Sequence, residues 1–208
     1  MGPEENWKWL RPLQWITRGV RALSVACVPT ADATRGPVYR RGAPWRTRLC
    51  PIEEPGEPLS ITGTITDAVD CGPVAGATLD VWQTNARGFY SNLFGLQDPA
   101  SPRAFNLRGR LMSADNGRYH FESILPDRYP LFWPLTRPRH IHLIVTHPHC
   151  EPLTTQIFFA GDKYNRWDPW WHESLTIHLE RAATAESGRV GHLGVFDITL
   201  RPKATSAG

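Results

Sequence analysis

The stretch PLSITGTITDAVDCGPVAGATLDVWQTN, residues 58–85, marks the point where the chain changes from an irregular lead-in to strands and turns. Residues 61–66 alternate between isoleucine or glycine and threonine, and a period of two is typical of a strand with one buried face. Turn-forming residues at 70–76 separate this run from a second apolar run at 77–82. The pattern predicts two successive strands that pair as a hairpin and begin a sandwich.

Further short apolar runs follow, each bounded by turn residues. In LMSADNGRYHFESI, residues 111–124, the pair Asn116-Gly117 can supply the positive φ angles of a tight turn and predicts a second hairpin. The later runs are RHIHLIV, TTQIFFAGD and LGVFDITL. Because 19 prolines and 17 glycines are spread among such runs, the sequence predicts an all-β protein with a β-sandwich core and long loops.

The length of 208 residues suits one domain with a full core. We expect residues 1–58 to form a short, partly helical N-terminal arm and Pro-rich lead-in, with its helix at 13–26. Residues 59–202 are expected to form the β-sandwich domain, and residues 203–208 a flexible tail. The Trp-rich arm is expected to pack on its own domain or on a sister subunit, and the second case would make a homo-oligomer. The alternative is an amphipathic arm that lies on a membrane or on another partner.

Charge and hydropathy limit the classes of partner. The net charge is only +3, and the lysines and arginines are scattered, which argues against nucleic acid as the main partner. No run approaches 18 apolar residues, so no membrane span is predicted. The N-terminus lacks the continuous apolar stretch of a signal peptide, and we therefore expect a cytoplasmic protein. The four cysteines form no C-x-x-C pair, and both disulfides and free thiols fit them.

The run RHIHLIV contains two histidines that could bind a metal. In a strand, His140 and His142 point to the same side, about 6.6 Å apart along the chain, and can converge on one ion. Ile141, Leu143 and Val145 then face the opposite side and can fill the core. From this strand alone, a metal site and a polar pair on a core strand both remain open.

Two tyrosines are candidates for the remaining ligands. Tyr90 follows NARGF and Tyr129 lies in LPDRYP, and neither belongs to a periodic apolar run. Phenolate is a hard anionic ligand, and two phenolates beside two neutral imidazoles suit a hard trivalent ion such as Fe(III). A Zn(II) or Fe(II) site is less well supported, because no carboxylate or third histidine lies at ligand spacing.

Five segments together resemble one known family in their order and approximate spacing. They are GTITDAVDCGPVAGATLDVWQTNARGFYS, LRGRLMSADNGRYHFESILPDRYP, RPRHIHLIV, TTQIFFAGD and VFDITL. The family is that of the intradiol ring-cleavage dioxygenases, which includes protocatechuate 3,4-dioxygenase and catechol 1,2-dioxygenase, and the similarity covers roughly residues 30–202. The resemblance implies a β-sandwich that holds a metal between strands and loops.

Carried over by position, the resemblance implies a non-haem Fe(III) cofactor and a ring-opening reaction. The implied metal ligands are Tyr90, Tyr129, His140 and His142. The implied catalytic residues are Tyr129, a displaceable ligand that accepts a substrate proton, Arg137, which lies beside the ring, and the polar residue Gln156. The implied partners are a catecholic small molecule and O2, and both oxygen atoms would enter a cis,cis-muconate type product.

The chain departs from the family pattern around the expected substrate pocket. The residues expected to line it are Thr34, Gly36, Pro37, Val38 and Trp133. Arg35 stands where the family has a small or acidic residue, and Val38 where it has an aromatic one. Leu131 also replaces an aromatic residue, and Trp133 could form a pocket wall or merely pack. These differences predict a bulkier or less carboxylated ring than protocatechuate.

Two further expectations accompany the resemblance. Cys71 resembles a cysteine of secreted family members, and Cys27 would be its partner if a disulfide forms. The stretch from residue 63 to residue 81 also resembles transthyretin-like sandwiches, which use the same two runs without chemistry. A non-catalytic binding module of that kind is the alternative function. It would not require two tyrosines, two histidines and an arginine in these places.

Overall fold

The computed structural model describes residues 27–91, 101–132, 135–183 and 190–204. Within these ranges, twelve strands form two five-stranded sheets and one two-stranded sheet. The strands are β1 (Pro58–Asp67), β2 (Thr78–Gln83), β3 (Arg108–Met112), β4 (Arg118–Ile124), β5 (Tyr129–Phe132), β6 (Leu135–Arg137), β7 (His140–His147), β8 (Cys150–Phe159), β9 (Thr176–Ile177), β10 (Leu179–Ala183), β11 (Val190–Val195) and β12 (Ile198–Leu200). Short 3-10 helices span Pro102–Phe105, Asn165–Trp167 and Glu173–Leu175.

The first sheet is built around β1. This strand pairs antiparallel with β4 and parallel with β11 and β12, and β10 pairs antiparallel with β11. Ile61 and Ile65 of β1 are fully buried, as the alternation predicts. On β4, Tyr119 and Phe121 share the buried face, while His120 bonds Ser60 on the other side.

The second sheet has the order β3-β2-β7-β8-β9, with β7 in the middle. Ile141, Leu143 and Val145 of β7 are fully buried in the core, and His140 and His142 point to the opposite face. The buried side chains of both sheets belong to one large hydrophobic cluster. The prediction of an all-β sandwich is therefore confirmed, and the sheet that carries the two histidines forms one of its layers.

Both predicted hairpins are wrong in their pairing. β1 and β2 belong to different sheets, and so do β3 and β4. In each case the chain turns and crosses from one layer to the other, so the two apolar faces meet across the core instead of side by side. The tight turn itself is present: Gly117 has a φ of 74°, whereas the Asn116 side chain accepts the N–H of Arg118.

The lead-in is fastened to the sandwich by covalent and hydrogen bonds. Cys27 forms a disulfide with Cys71, in the turn after β1. The N–H of Thr30 donates to the Thr199 carbonyl and that of Ala33 to the Thr154 carbonyl, which leads residues 34–39 to the face with the histidines. A disulfide is more typical of oxidising compartments, and the cytoplasmic location stays a prediction.

Some predictions concern residues that the structure does not describe, and others concern domain boundaries that it does not test. The helix expected at 13–26 and the Trp-rich arm lie outside the described residues. The division at residues 58 and 202 stays a prediction. Where the structure does describe the chain, it contains no helix with the length and apolar character that a membrane crossing needs.

Candidate metal centre and active site

Two histidine side chains of β7 approach each other through their Nε2 atoms. The Nε2 atoms of His140 and His142 lie 3.1 Å apart, and both residues are buried. The His140 Nδ1 lies 2.8 Å from the Pro138 carbonyl oxygen, which can only accept a hydrogen bond, so Nδ1 must be the donor. The hydrogen of neutral His140 is therefore on Nδ1, and the lone pair of its Nε2 faces His142.

His142 is held by the strands on both sides of β7. Trp82 is its cross-strand partner on β2, and the two rings stack with centroids 4.7 Å apart and planes 4° from parallel. Gln156 is its partner on β8, with Nε2 at 3.2 Å from the His142 Nδ1. The same amide nitrogen donates to the Thr34 carbonyl at 2.6 Å. These contacts fix the orientation of the imidazole.

Tyr90 reaches the histidine pair from the loop after β2. Its hydroxyl oxygen lies 3.0 Å from the Nε2 of His142 and 3.5 Å from that of His140. The loop conformation depends on Gly88, which has a φ of 77° and passes so close to the Arg128 carbonyl that a Cβ would lie 2.1 Å from its oxygen. This close approach brings Tyr90 next to the start of β5.

Tyr129 is the first residue of β5 and completes the cluster. Its ring packs edge-on against Tyr90 at 5.4 Å between centroids and lies 5.7 Å from the His140 ring. Arg137 is its direct partner on β6. The β5–β6 pair, in which Tyr129 is the partner of Arg137, therefore meets strand β7, which carries both histidines.

Burial determines the protonation of this cluster. Burial and, to a smaller extent, the charge of Arg137 together lower the pKa of His140 to about 3, while the hydrogen bond to the Pro138 carbonyl acts in the opposite direction. The same causes, with His140 as an additional one, hold the pKa of His142 well below its ordinary value. Burial and the neighbouring Tyr129 raise the pKa of Tyr90 well above 10. The centre thus contains two neutral imidazoles beside a protonated phenol, and a bound cation would take the place of the phenol proton.

The donor set fits a hard trivalent cation. Two imidazole nitrogens and a phenol oxygen lie within 3.5 Å of one another in a buried place, and a second phenol borders them. Throughout the ranges that the structure describes, no group of three or more His, Cys, Asp or Glu side chains is placed to bind a metal. The anionic ligands of a metal bound here would have to be phenolates, and that combination would suit Fe(III).

Arg137 lies on one side of the cluster and is itself buried. Its guanidinium donates to Asp168 at 2.6 Å and to Gln156 at 2.8 Å, and the Trp170 ring lies 4.6 Å from its Cζ. No sequence pattern singles out Asp168 or Trp170. The only signal for them was the aromatic-rich run KYNRWDPWWH, which indicated a covering loop but no particular residue.

A second buried arginine was also missed. Arg108 of β3 lies 5.9 Å from the Tyr90 ring and donates through Nε to the Ser91 hydroxyl at 3.1 Å. Burial is the main cause that lowers its pKa to about 10; the charge of Arg40 contributes to this lowering, whereas Tyr90 and Asp80 oppose it. Trp82 lies in a strand that the sequence predicts, but its contact with His142 depends on strand pairing that no local pattern specifies.

The residues expected to line the substrate pocket are only partly brought to the site. The Thr34 carbonyl contacts Gln156, and a Cβ on Gly36 would lie 3.5 Å from the His142 Cε1. Val38 is half-buried and Pro37 is exposed. Trp133 lies outside the described residues, so its role stays a prediction.

Comparison with known proteins places the chain in a family. The sequence profile of a family described as dioxygenase matches residues 34–202. The chain is 35% identical over 157 residues to a chlorocatechol 1,2-dioxygenase of Rhodococcus opacus, covering 65% of this chain and 58% of that protein. It is 30% identical over 198 residues to a catechol 1,2-dioxygenase of Candida albicans, covering 85% and 64%. The chain belongs to the intradiol ring-cleavage dioxygenase family.

Solved structures of the intradiol dioxygenase family share the fold. A catechol 1,2-dioxygenase of Acinetobacter radioresistens superimposes with a TM-score of 0.75 at 26% identity, covering 88% of this chain and 65% of that chain. The dioxygenase domain of a carbohydrate-binding fusion protein from Streptomyces gives a TM-score of 0.66 at 30% identity, with coverage of 84% and 99%. The chain spans about half to two thirds of the length of the first curated relatives that it matches.

Proposed function

We propose that this protein is a non-haem Fe(III)-dependent intradiol dioxygenase that inserts both atoms of O2 into a catecholic ring to give a cis,cis-muconate type product. The observation that carries the proposal is the meeting of the Tyr90 hydroxyl with the Nε2 atoms of His140 and His142 in a buried place. Family membership supports it. A non-catalytic sandwich would not need such a donor set.

The residues around the cluster have distinct tasks in this proposal. Tyr90, Tyr129, His140 and His142 would hold the iron. Fe(III) bound there would draw electrons from a chelated catecholate and so open the ring to attack by O2. Tyr129, which is less buried than Tyr90, would be a phenolate in the iron-loaded protein, and this phenolate oxygen would accept a catechol proton.

Arg137 and Gln156 complete the proposed machinery. The guanidinium of Arg137 stabilises negative charge that develops on the ring, and it acts strongly because it is buried away from water. Gln156 links this guanidinium to His142, since it accepts from Arg137 through Oε1 and contacts the imidazole through Nε2. The catalytic group and the metal ligand therefore keep a constant separation.

The proposed substrate is a catechol without a ring carboxylate. The relatives are named for catechol, chlorocatechol and hydroxyquinol, and none of these rings carries a carboxylate. The backbone of residues 34–36 runs against Gln156 and His142, so the ring would lie between this segment and Arg137. Val38 and Leu131 would add an apolar wall that favours substituted rings.

The test is to load the purified protein with Fe(III), record its visible spectrum and measure O2 uptake with a panel of catechols. We expect a phenolate-to-iron charge-transfer band and stoichiometric O2 consumption. Tyr90→Phe should lose most of the band, whereas Tyr164→Phe, a tyrosine that contacts Arg128 and Lys163, should keep it. A colourless iron-loaded protein, or a Tyr90→Phe variant with the full band, would rule out the proposal.

A further inference from the structure

The loop after β8 contributes a buried carboxylate to the site. Asp168 follows the 3-10 helix Asn165–Trp167, and its Oδ2 accepts from the Nε of Arg137 at 2.6 Å, while its Oδ1 accepts from Nη2 at 3.2 Å. Both side chains are buried. A carboxylate that engages one edge of a guanidinium through two hydrogen bonds fixes both its plane and its position.

The same carboxylate also orients an aromatic side chain. Asp168 Oδ1 accepts the backbone N–H of Trp170 at 2.9 Å, which turns the loop so that the indole covers the Arg137 guanidinium at 4.6 Å. Trp170 remains 37% exposed, so part of its surface is open to solvent beside the arginine. The Asp168 carboxylate thus contacts both the Arg137 guanidinium and the backbone of Trp170.

We propose that Asp168 is the positioning residue for Arg137 in the ring-opening reaction, because its two hydrogen bonds hold the guanidinium in a fixed plane beside Gln156. This inference rests on the proposed function. With Asp168 removed, Gln156 alone cannot fix the plane of the guanidinium, and the loop no longer presses Trp170 against it. The charge of Arg137 would then be misplaced when negative charge develops on the ring.

Removal of the Asp168 carboxylate should lower mainly kcat. A group that acts on charge formed in the transition state lowers kcat when it is displaced, whereas substrate affinity changes little. We expect Asp168→Asn, which keeps the size of the side chain, to lower kcat about 10–100-fold with KM within about threefold, as for other residues that orient a reacting group. A merely structural ion pair would instead lower stability and leave kcat per bound iron unchanged.

The matched control is another buried carboxylate paired with an arginine. Glu122 of β4, in the sheet that does not carry the two histidines, forms an ion pair with Arg48. Glu122→Gln removes a buried charge as Asp168→Asn does, and it should lower the unfolding temperature while kcat stays within about twofold. Asp168→Glu, which keeps the charge and displaces the carboxylate, should fall between the wild type and Asp168→Asn, and it carries the test if Asp168→Asn fails to fold.

The decisive experiment is a double-mutant cycle on iron-loaded protein, with kcat, KM, iron content and thermal unfolding measured for Asp168→Asn, Arg137→Leu and the double variant. If Asp168 acts through Arg137, the double variant should be within about twofold of Arg137→Leu. A second readout is the spectrum of a chromophoric catechol, 4-nitrocatechol, bound without turnover, which should shift in Asp168→Asn but not in Glu122→Gln.

The outcomes separate this inference from the proposed function. An active wild type with multiplicative effects of the two substitutions, or with unchanged kcat in Asp168→Asn, overturns the positioning role alone. A wild type that binds iron but consumes no O2 with any catechol overturns the proposed function, and the positioning role with it.

Discussion

The indole of Trp82 lies flat against the imidazole of His142, with centroids 4.7 Å apart and planes 4° from parallel. Trp82 is 1% exposed and is among the largest fully buried side chains of the described residues. The stack joins the hydrophobic core to the candidate metal centre. A change in the core at this position should therefore also affect the histidine.

Trp82→Ala should lower the free energy of unfolding by about 3–5 kcal/mol, because it leaves a cavity beside the ring of His142. Denaturant unfolding measures this loss. The control is Trp167→Ala at a 65% exposed position, where we expect a change within about 0.5 kcal/mol. A cost below about 1 kcal/mol for Trp82→Ala would contradict the described packing.

Gly117→Ala should be more costly than an ordinary glycine substitution. Gly117 has a φ of 74°, and a Cβ would lie 2.5 Å from the Ile65 carbonyl oxygen. We expect a loss of about 2–4 kcal/mol from backbone strain and this clash together. Gly42 has a φ of 86° and open space around it, so Gly42→Ala should show the strain alone, about 1 kcal/mol. Equal losses for the two variants in chemical denaturation would show that the clash is absent.

Removal of the Cys27–Cys71 disulfide should destabilise the fold. The bridge closes a loop with a sequence separation of 44, for which the chain-entropy estimate is about 4 kcal/mol. The double variant Cys27→Ser/Cys71→Ser should unfold at lower denaturant concentration than the oxidised protein and should be insensitive to reductant. The reduced wild type is the control and should unfold together with the double variant. A reduced wild type as stable as the oxidised protein would contradict a structural role for this bond.

The stability of the fold should depend on pH through Asp80. Burial raises the pKa of this carboxyl, while the hydrogen bond from the Tyr39 hydroxyl, at 2.8 Å, opposes the rise. Because the folded pKa lies above the unfolded value of about 3.9, the contribution of Asp80 is fully present below that value and is lost as the pH rises through the folded pKa. Asp80→Asn should therefore be at least as stable as the wild type at pH 7, and its advantage should shrink towards pH 4.

Tyr39→Phe provides the matched comparison for this effect. It removes the hydrogen bond that favours the charged carboxylate, so stability should fall more steeply between pH 4 and pH 7 than in the wild type. Urea unfolding across this range measures both variants. Parallel stability curves for the wild type and Asp80→Asn would show that Asp80 does not titrate as described.

Much of the site could be predicted from the sequence because the ligand types are chemically distinctive. His140 and His142 alternate on a strand, and alternation alone places both side chains on one face. Tyr90 and Tyr129 could be proposed as ligands only through the resemblance to a family, since each lies in a loop or strand end without a period. The structure brings all four rings together, with the Tyr90 and histidine donor atoms within 3.5 Å.

The pairing of the strands could not be predicted in the same way. The runs before and after Asn116-Gly117 have the local pattern of a hairpin, yet β3 and β4 belong to different sheets. A turn residue specifies only that the chain reverses, and the partner of each strand is selected by which apolar faces bury each other. The contact of Trp82 with His142 follows from this selection.

The sequence by itself determined the class of fold, the approximate strand positions and the candidate ligand types, because period, turn chemistry and side-chain donors are local properties. Only the tertiary structure decided that Asp168 holds Arg137, that Gln156 joins this arginine to His142, and that Trp82 supports the imidazole. These contacts join residues between 14 and 60 positions apart. A buried ion pair of this kind is stable only where folding excludes water around it, and no local pattern of residues specifies that place.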